Sequence, residues 1–376
     1  MRINFNGGRE TMKKKFYSVF ILMMAGVALL VTGCTTGPVG EDTTQVQEDT
    51  TAVDKTVENS GVVNLYTDRH YDTDQELYDA FEVSTGIKVN VVKGKGDELI
   101  ERLTREDADT EADLLITADA GRLYRAKEAD LLQAVSSEIL LANVPTTFKD
   151  GDDNWYALTM RARVLVYSPD RVSEEDLSTY EALTGTEWKN RILVRSSSNI
   201  YNQSLLASFI ELNGREQAKE WAAGLVANMA REPQGNDRSQ ATGVVAGEGD
   251  LAIMNTYYIG KMIHSDNPEE AEVGKKVKVF FPNQETTGTH INVSGIGMTK
   301  YAKNADNALK LMEFLSSKEA QSKFAEANYE YPIHPDVEVS KLLKSWGDFK
   351  AQEIDFSKLG ENNMEAVKIF NEVEWK

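Results

Sequence analysis

The sequence predicts an α/β protein of two halves, each a mainly parallel sheet flanked by helices, the two joined by at least two crossing strands. Three observations carry that prediction. Short apolar strand-like runs alternate with amphipathic helical runs from Val62 onward, the pattern of βαβ units with right-handed crossovers. The pattern begins afresh near Arg191, after the long β-rich run Trp155 to Tyr167. The chain beyond residue 60 is long enough to fill two cores.

The first residues are of another kind. Lys13-Lys14-Lys15 precede an apolar run, Phe16 to Val31, which reads as an export signal over residues 1–33, with Met12 as an alternative start. The run is too short for a stable spanning helix. It ends in Val31-Thr32-Gly33-Cys34, which resembles a bacterial lipobox, so Cys34 is predicted to carry a lipid. It is the only cysteine, which excludes disulfides and thiol catalysis. Residues 34–60 are mostly Thr, Glu, Asp, Gln and Val, a composition that cannot offset the entropy of ordering and predicts a disordered tether. Removing residues 1–33 takes five basic residues and one acid from the totals of 41 and 60, leaving a net charge of −23. That acidity argues against nucleic acid and anionic membrane as partners and leaves the lipid as the membrane contact.

Val62 to Thr67 reads as a strand. Arg69-His70-Tyr71 follows in a turn before Thr73 to Glu76, a capping box opening a helix that stops at Gly86. A strand over Lys88 to Val92, a helix over Glu98 to Glu106 and a strand over Asp113 to Thr117 come next, with Asp119 as cap of a further helix. Trp155 to Tyr167 is long enough to cross between halves and puts Arg161 and Arg163 on one face, two residues apart. After a capping box at Ser178 to Glu181, the second half repeats the theme: strand Arg191 to Arg195, loop Ser196 to Tyr201, then a helix over Asn202 to Leu212. Helices over Glu216 to Met229 and Ser239 to Gly247 flank the turn Glu232 to Asp237. The strand Asp250 to Met254 then runs into Asn255-Thr256-Tyr257-Tyr258, with Thr256 as a helix cap. Strands over Lys276 to Pro282 and Thr289 to Thr299, and helices over Ala305 to Leu315, Lys318 to Asn328 and Asn363 to Phe370, complete the chain. The segment from residue 289 is predicted to return to the first half.

Tyr71, Tyr201, Tyr257 and Tyr258 share one property: each follows a strand where a helix begins, the place where open α/β sheets bind ligands. An apolar-inward, hydroxyl-outward boundary pair is the plain alternative for Tyr257-Tyr258. Clustered phenols with an ordinary pKa near ~10 call for a strongly charged cation to hold them deprotonated, and ferric iron suits phenolate oxygen. Motifs for catalysis are lacking: Asn292 to Gly297 misses the leading glycine of a nucleophile elbow, and there is neither a phosphate-binding loop nor His-Glu-x-x-His. The four histidines, His70, His264, His290 and His334, are far apart in sequence, and the last three read as surface or satisfied residues.

Four stretches together carry a resemblance: Asn64 to Tyr71, Arg195 to Ser204, Arg231 to Asp237 and Asn255 to Tyr258. With them, Val62 to Glu374 resembles the bacterial ferric-iron-binding proteins of ABC importers, in particular the branch similar to cyanobacterial iron-uptake solute-binding proteins. The resemblance implies a type II periplasmic-binding fold, with lobe 1 over residues 61–158 and 289–337 and lobe 2 over 159–288 and 338–376. It implies a monomer without enzymatic activity that closes on one Fe(III) and delivers it to an ABC permease. His70, Tyr71, Tyr201, Tyr257 and Tyr258 would be the metal ligands. Carbonate or water would complete the site beside Arg161, with Arg163 as the alternative and a structural salt bridge as the competing role. Four phenolates and a trivalent ion leave one negative charge, which Arg69 or Arg161 could balance. A receptor of the same fold for an organic cation such as a polyamine, with aromatic walls and cleft carboxylates, is the second reading, and a non-haem iron enzyme the third.

Overall fold

In a computed structural model, residues 61–69 and 71–376 are described; the export signal, Cys34, the tether and His70 lie outside the described residues. The strands are β1 (Val62–Thr67), β2 (Lys88–Lys93), β3 (Leu114–Thr117), β4 (Leu132–Gln133) and β5 (Tyr156–Tyr167). They continue with β6 (Ile192–Leu193), β7 (Leu251–Asn255), β8 (Lys278–Phe280), β9 (Ile291–Thr299) and β10 (Tyr331–Pro332). The main path runs β2-β1-β3-β9-β5-β7-β6. Helices follow β1, β2, β3, β6 and β7 in sequence, as the βα pattern requires.

β5 and β9 organise the sheet. The first part of β5 pairs with β9, from Tyr156 opposite Ile296 to Ala162 opposite Ile291. From Arg163 to Tyr167 the same strand pairs with β7, and Leu165–Tyr167 also meet β8. One strand therefore belongs to two sheets, and it changes partners between Ala162 and Arg163. Every residue of β5 and of β9 is buried, which explains their near-continuous apolar runs. Parallel pairing holds in β2-β1-β3 and in β6-β7, as the βα pattern predicts. The crossing strands run antiparallel to their neighbours, so the sheet is mixed, not mainly parallel. The difference arises because β9 returns into the first sheet from far along the chain, between β3 and β5. No crossover helix dictates its direction.

Several helix starts differ from the local signals. The helix Asp72–Thr85 has Tyr71 as its cap residue without a side-chain cap, and Asp74 is turned to Arg69 instead. The capping box at Ser178–Glu181 is not formed; Ser173 and Asp176 make one, five residues earlier. Asp119 does cap its helix, accepting from the Arg122 N–H. Asn236 and Ser239 form a further capping box at the helix Asp237–Ala246. Among the described residues no helix is long and apolar enough to cross a membrane.

Candidate metal centre

Three strand-to-helix junctions bring the tyrosines together. Tyr71 stands after β1 with extended backbone angles of −85° and 144°, so its ring leaves the helix Asp72–Thr85 at its N-terminus. Tyr201 lies in the first turn of the helix Ile200–Asn213, where its N–H donates to Asn199 Oδ1 at 3.1 Å. Tyr257 and Tyr258 lie in the first turn of the helix Thr256–Ile263, directly after β7. Thr256 is not the cap; Asn255 holds that position without a side-chain cap, and Thr256 Oγ1 accepts from the Ala162 N–H of β5 at 3.3 Å. That bond ties the tyrosine-bearing helix to the point where β5 changes sheets. All three helices offer the positive ends of their dipoles to the same place, which favours negative oxygen there.

The four side chains form one cluster. The Tyr201 and Tyr257 hydroxyls are 3.1 Å apart. Tyr71 meets Tyr257 edge-on with ring centroids 6.2 Å apart, and Tyr257 and Tyr258 lie at 4.3 Å. Tyr257 is 2% exposed and the other three are partly covered. A cleft of ≈ 630 Å³ opens beside them, bounded on one side by Tyr71, Arg122 and the Gly94–Gly96 turn and on the other by Arg195, Tyr201 and Tyr258. Tyr71 comes from the β1 junction and the others from the β6 and β7 junctions, so both sheets contribute.

Burial raises the Tyr71 and Tyr257 phenols well above their usual range, and raises Tyr258 too. In each case the Tyr201 oxygen is the next cause, because one phenolate disfavours another. Arg69, Arg161 and Arg195 respectively oppose those shifts. Without a metal these three phenols are protonated at neutral pH. A multivalent cation among the oxygens would offset both the mutual repulsion and the cost of burying charge, and binding it would expel protons.

Around this cluster the charges are unequally committed. Arg69 is fully engaged: Nε is 2.9 Å from Asp74 Oδ2, Nη2 2.9 Å from Glu330 Oε2, and Nη1 2.9 Å from Ser294 Oγ. Its charge is consumed by two carboxylates. Arg161 is different: it bonds the Ala118 carbonyl, stands 3.9 Å from Asp119, and its Nη1 has no hydrogen-bond partner among the described residues. Its guanidinium lies 5.2 Å from the Tyr201 ring centroid. Of the two arginines that could balance the site, Arg161 is the one with charge and a donor to spare. Arg163 is held by Asp237, Asn202 and Asn255 and serves the framework.

Local sequence patterns assigned no role to Lys261, Glu330, Arg195 or Asp237. Lys261 Nζ lies 3.6 Å from the Tyr71 ring centroid and donates to Asn328 Oδ1 at 3.0 Å; burial pulls its ammonium down to about 8 against the attraction of Glu330. Its spacing, three residues after Tyr258 and four after Tyr257, was the available signal. The three described histidines are satisfied locally: His264 by the Gly260 carbonyl, His290 by Gln352, and His334 by the Asp336 N–H. The carboxylates near the tyrosines are paired with arginines, Asp68 with Arg122 and Glu330 with Arg69, which leaves poor provision for an organic cation.

The model of the family described as bacterial extracellular solute-binding protein matches residues 76–351. Iron uptake protein A1 of Synechocystis is 49% identical over 314 residues, covering 84% of this chain and 87% of that protein. The major ferric iron-binding protein of Neisseria meningitidis is 28% identical over 304 residues, 80% of this chain and 89% of its own. Among solved structures, a Trichodesmium protein described as IdiA or FutA in complex with iron and citrate ligands superposes with a TM-score of 0.81 at 47% identity. It covers 84% of this chain and 100% of that one. The ferric binding protein from Campylobacter jejuni superposes with a TM-score of 0.81 at 46% identity, with the same coverage.

Proposed function

The chain belongs to the bacterial extracellular solute-binding proteins and has their type II periplasmic-binding fold, and from that premise we propose that it captures Fe(III) in the tyrosine-lined cleft and hands it to an ABC permease. Its relatives are transport proteins, not enzymes. The observation that carries the reading is the convergence of Tyr71, Tyr201, Tyr257 and Tyr258 from three junctions, with two hydroxyls 3.1 Å apart. The names of its relatives, iron uptake and ferric iron-binding proteins, point the same way.

In this reading the four phenolates bind the ion, and His70 adds an imidazole. Arg161 balances the remaining negative charge and offers its spare donor to a carbonate or water beside the metal. Citrate in the Trichodesmium complex supports room for a second ligand, as does a cleft of ≈ 630 Å³. Lobe 1 spans 61–158 and 289–337, lobe 2 spans 159–288 and 338–376, and the monomer closes between them by bending along the crossing strands β5 and β9. Lipid on Cys34 keeps the domain at the outer side of the cytoplasmic membrane.

The test is spectroscopic. Ferric iron added to purified protein should produce a visible phenolate charge-transfer band, which zinc or a polyamine does not give. Tyr201→Phe and Tyr257→Phe should each shift the band and weaken iron retention against a competing chelator, while leaving the ring and its packing in place. Unchanged spectra and affinities in both variants would show that these phenols are ordinary boundary residues.

A further inference from the structure

The turn before the helix Asp237–Ala246 stands out in the sequence, and the cleft does not account for it. Asp237, the first residue of that helix, is completely buried. One carboxylate oxygen lies 3.2 Å from Arg163 Nη1 and accepts from the Asn255 N–H at 3.1 Å; the other lies 3.3 Å from Arg195 Nη1. Each contact leads to a tyrosine. Arg163 Nη2 donates to Asn202 Oδ1 at 2.7 Å, and Asn202 directly follows Tyr201. The Asn202 side-chain amide in turn donates to the Arg195 carbonyl at 2.9 Å, closing a ring of bonds through the loop before Tyr201. Asn255 is the cap residue of the helix Thr256–Ile263, whose first turn carries Tyr257 and Tyr258, and its Oδ1 accepts from Arg163 Nη1 at 3.0 Å. The Arg163 and Arg195 guanidiniums stand 5.8 and 5.6 Å from the Tyr201 ring centroid.

We propose that Asp237 is a positioning residue of the metal centre: through Arg163, Arg195 and the Asn255 N–H, its carboxylate holds the junction of Tyr201 and the junction of Tyr257-Tyr258 at the spacing that one ion needs. The inference rests on the ferric reading above. Two cations and a backbone donor meeting one buried carboxylate define a fixed point, and loss of the negative charge leaves two guanidiniums facing each other. Tyr71 is outside this network; its junction is held by Arg69 with Asp74 and Glu330. The device therefore registers the two junctions of the second sheet to each other, independently of the first.

Asp237→Asn in the full chain tests it. With tyrosine rings labelled with ¹³C, the metal-free variant should show displaced Tyr201, Tyr257 and Tyr258 signals, with Tyr71 changing only through its ring contact with Tyr257. Its ferric affinity should fall roughly 10- to 100-fold, as for other residues that orient metal ligands, with a shifted charge-transfer band. Asn202→Ala cuts the arm to Tyr201 and should displace the Tyr201 signal and lower ferric affinity at smaller amplitude, with Tyr257 and Tyr258 less moved; it supplies the test if Asp237→Asn does not fold. Ring signals and ferric affinity equal to wild type, with only a lower unfolding midpoint, would overturn the proposal and leave Asp237 a stability residue. If the wild type itself gives no ferric band, the ferric reading fails, and the metal-free ring signals still judge the positioning.

Discussion

Arg69 and Arg161 are both buried cations beside tyrosine rings, and their partners give them opposite tasks. Arg69 meets Asp74 and Glu330, so deleting it strands two buried carboxylates. Arg69→Leu should lower stability by about 3–5 kcal/mol, read as a reduced midpoint in chemical denaturation. Arg161 keeps an unused donor and only a distant carboxylate. Arg161→Gln should leave the unfolding midpoint closer to wild type and weaken ferric iron retention roughly tenfold in chelator competition. The reverse pattern would exchange their roles. At this scale protons matter as well: burial keeps Tyr71, Tyr257 and Tyr258 protonated in the metal-free protein, so on the proposed ferric reading metal and protons compete for the same oxygens. Iron retention should fall as pH falls, with protons released on binding, both measurable by titration in weakly buffered solution.

The helix Thr256–Ile263 carries two of the tyrosines and approaches the segment around Tyr329 more closely than a side chain would permit. A Cβ on Gly260 would stand 2.5 Å from Tyr329 Cβ. Beside it Tyr329, at a positive φ of 54°, stacks on His264 with centroids 4.8 Å apart. Gly260→Ala is favourable for an isolated helix but should cost about 1–3 kcal/mol here through overpacking, seen in thermal unfolding. What the sequence reveals at this level follows from distance along the chain. Tyr71, Tyr201 and Tyr257-Tyr258 were legible because a strand and a helix next to each other place any residue between them at a sheet end. Arg161 and Arg163 were legible as a same-face pair because they stand two residues apart on one strand, and both guanidiniums lie beside the Tyr201 ring. Thr256 was misread because its hydroxyl is claimed by Ala162, a residue far back in the chain. Asp237 could not be assigned a role because its meaning depends on Arg163 and Arg195, which no local pattern links to it.

In the whole molecule, the changeover point of β5 lies beside buried polar chemistry. His290, at the start of the β9 segment, is completely covered, and burial lowers its imidazole from 6.5 to about 4 despite a hydrogen bond with Gln352. Between those values the unfolded chain holds a proton that the folded one does not. The stability contribution is therefore complete above about 6.5 and lost as pH falls toward 4, worth on the order of 3 kcal/mol. Urea unfolding across that window should show a shallower acid slope for His290→Gln than for wild type. The order β3-β9-β5 has a consequence in time. Among the described residues β3 and β5 do not pair with each other; β9 alone joins them. A chain ending at Gly288 should therefore show no cooperative unfolding transition, which circular dichroism against temperature would check. Contacts between such distant segments form slowly. During synthesis the first sheet stays unsealed until most of the polypeptide exists. If residues 1–33 act as the proposed export signal, this late seal would keep the chain threadable through a translocation channel, and the four tyrosines would come together only after export.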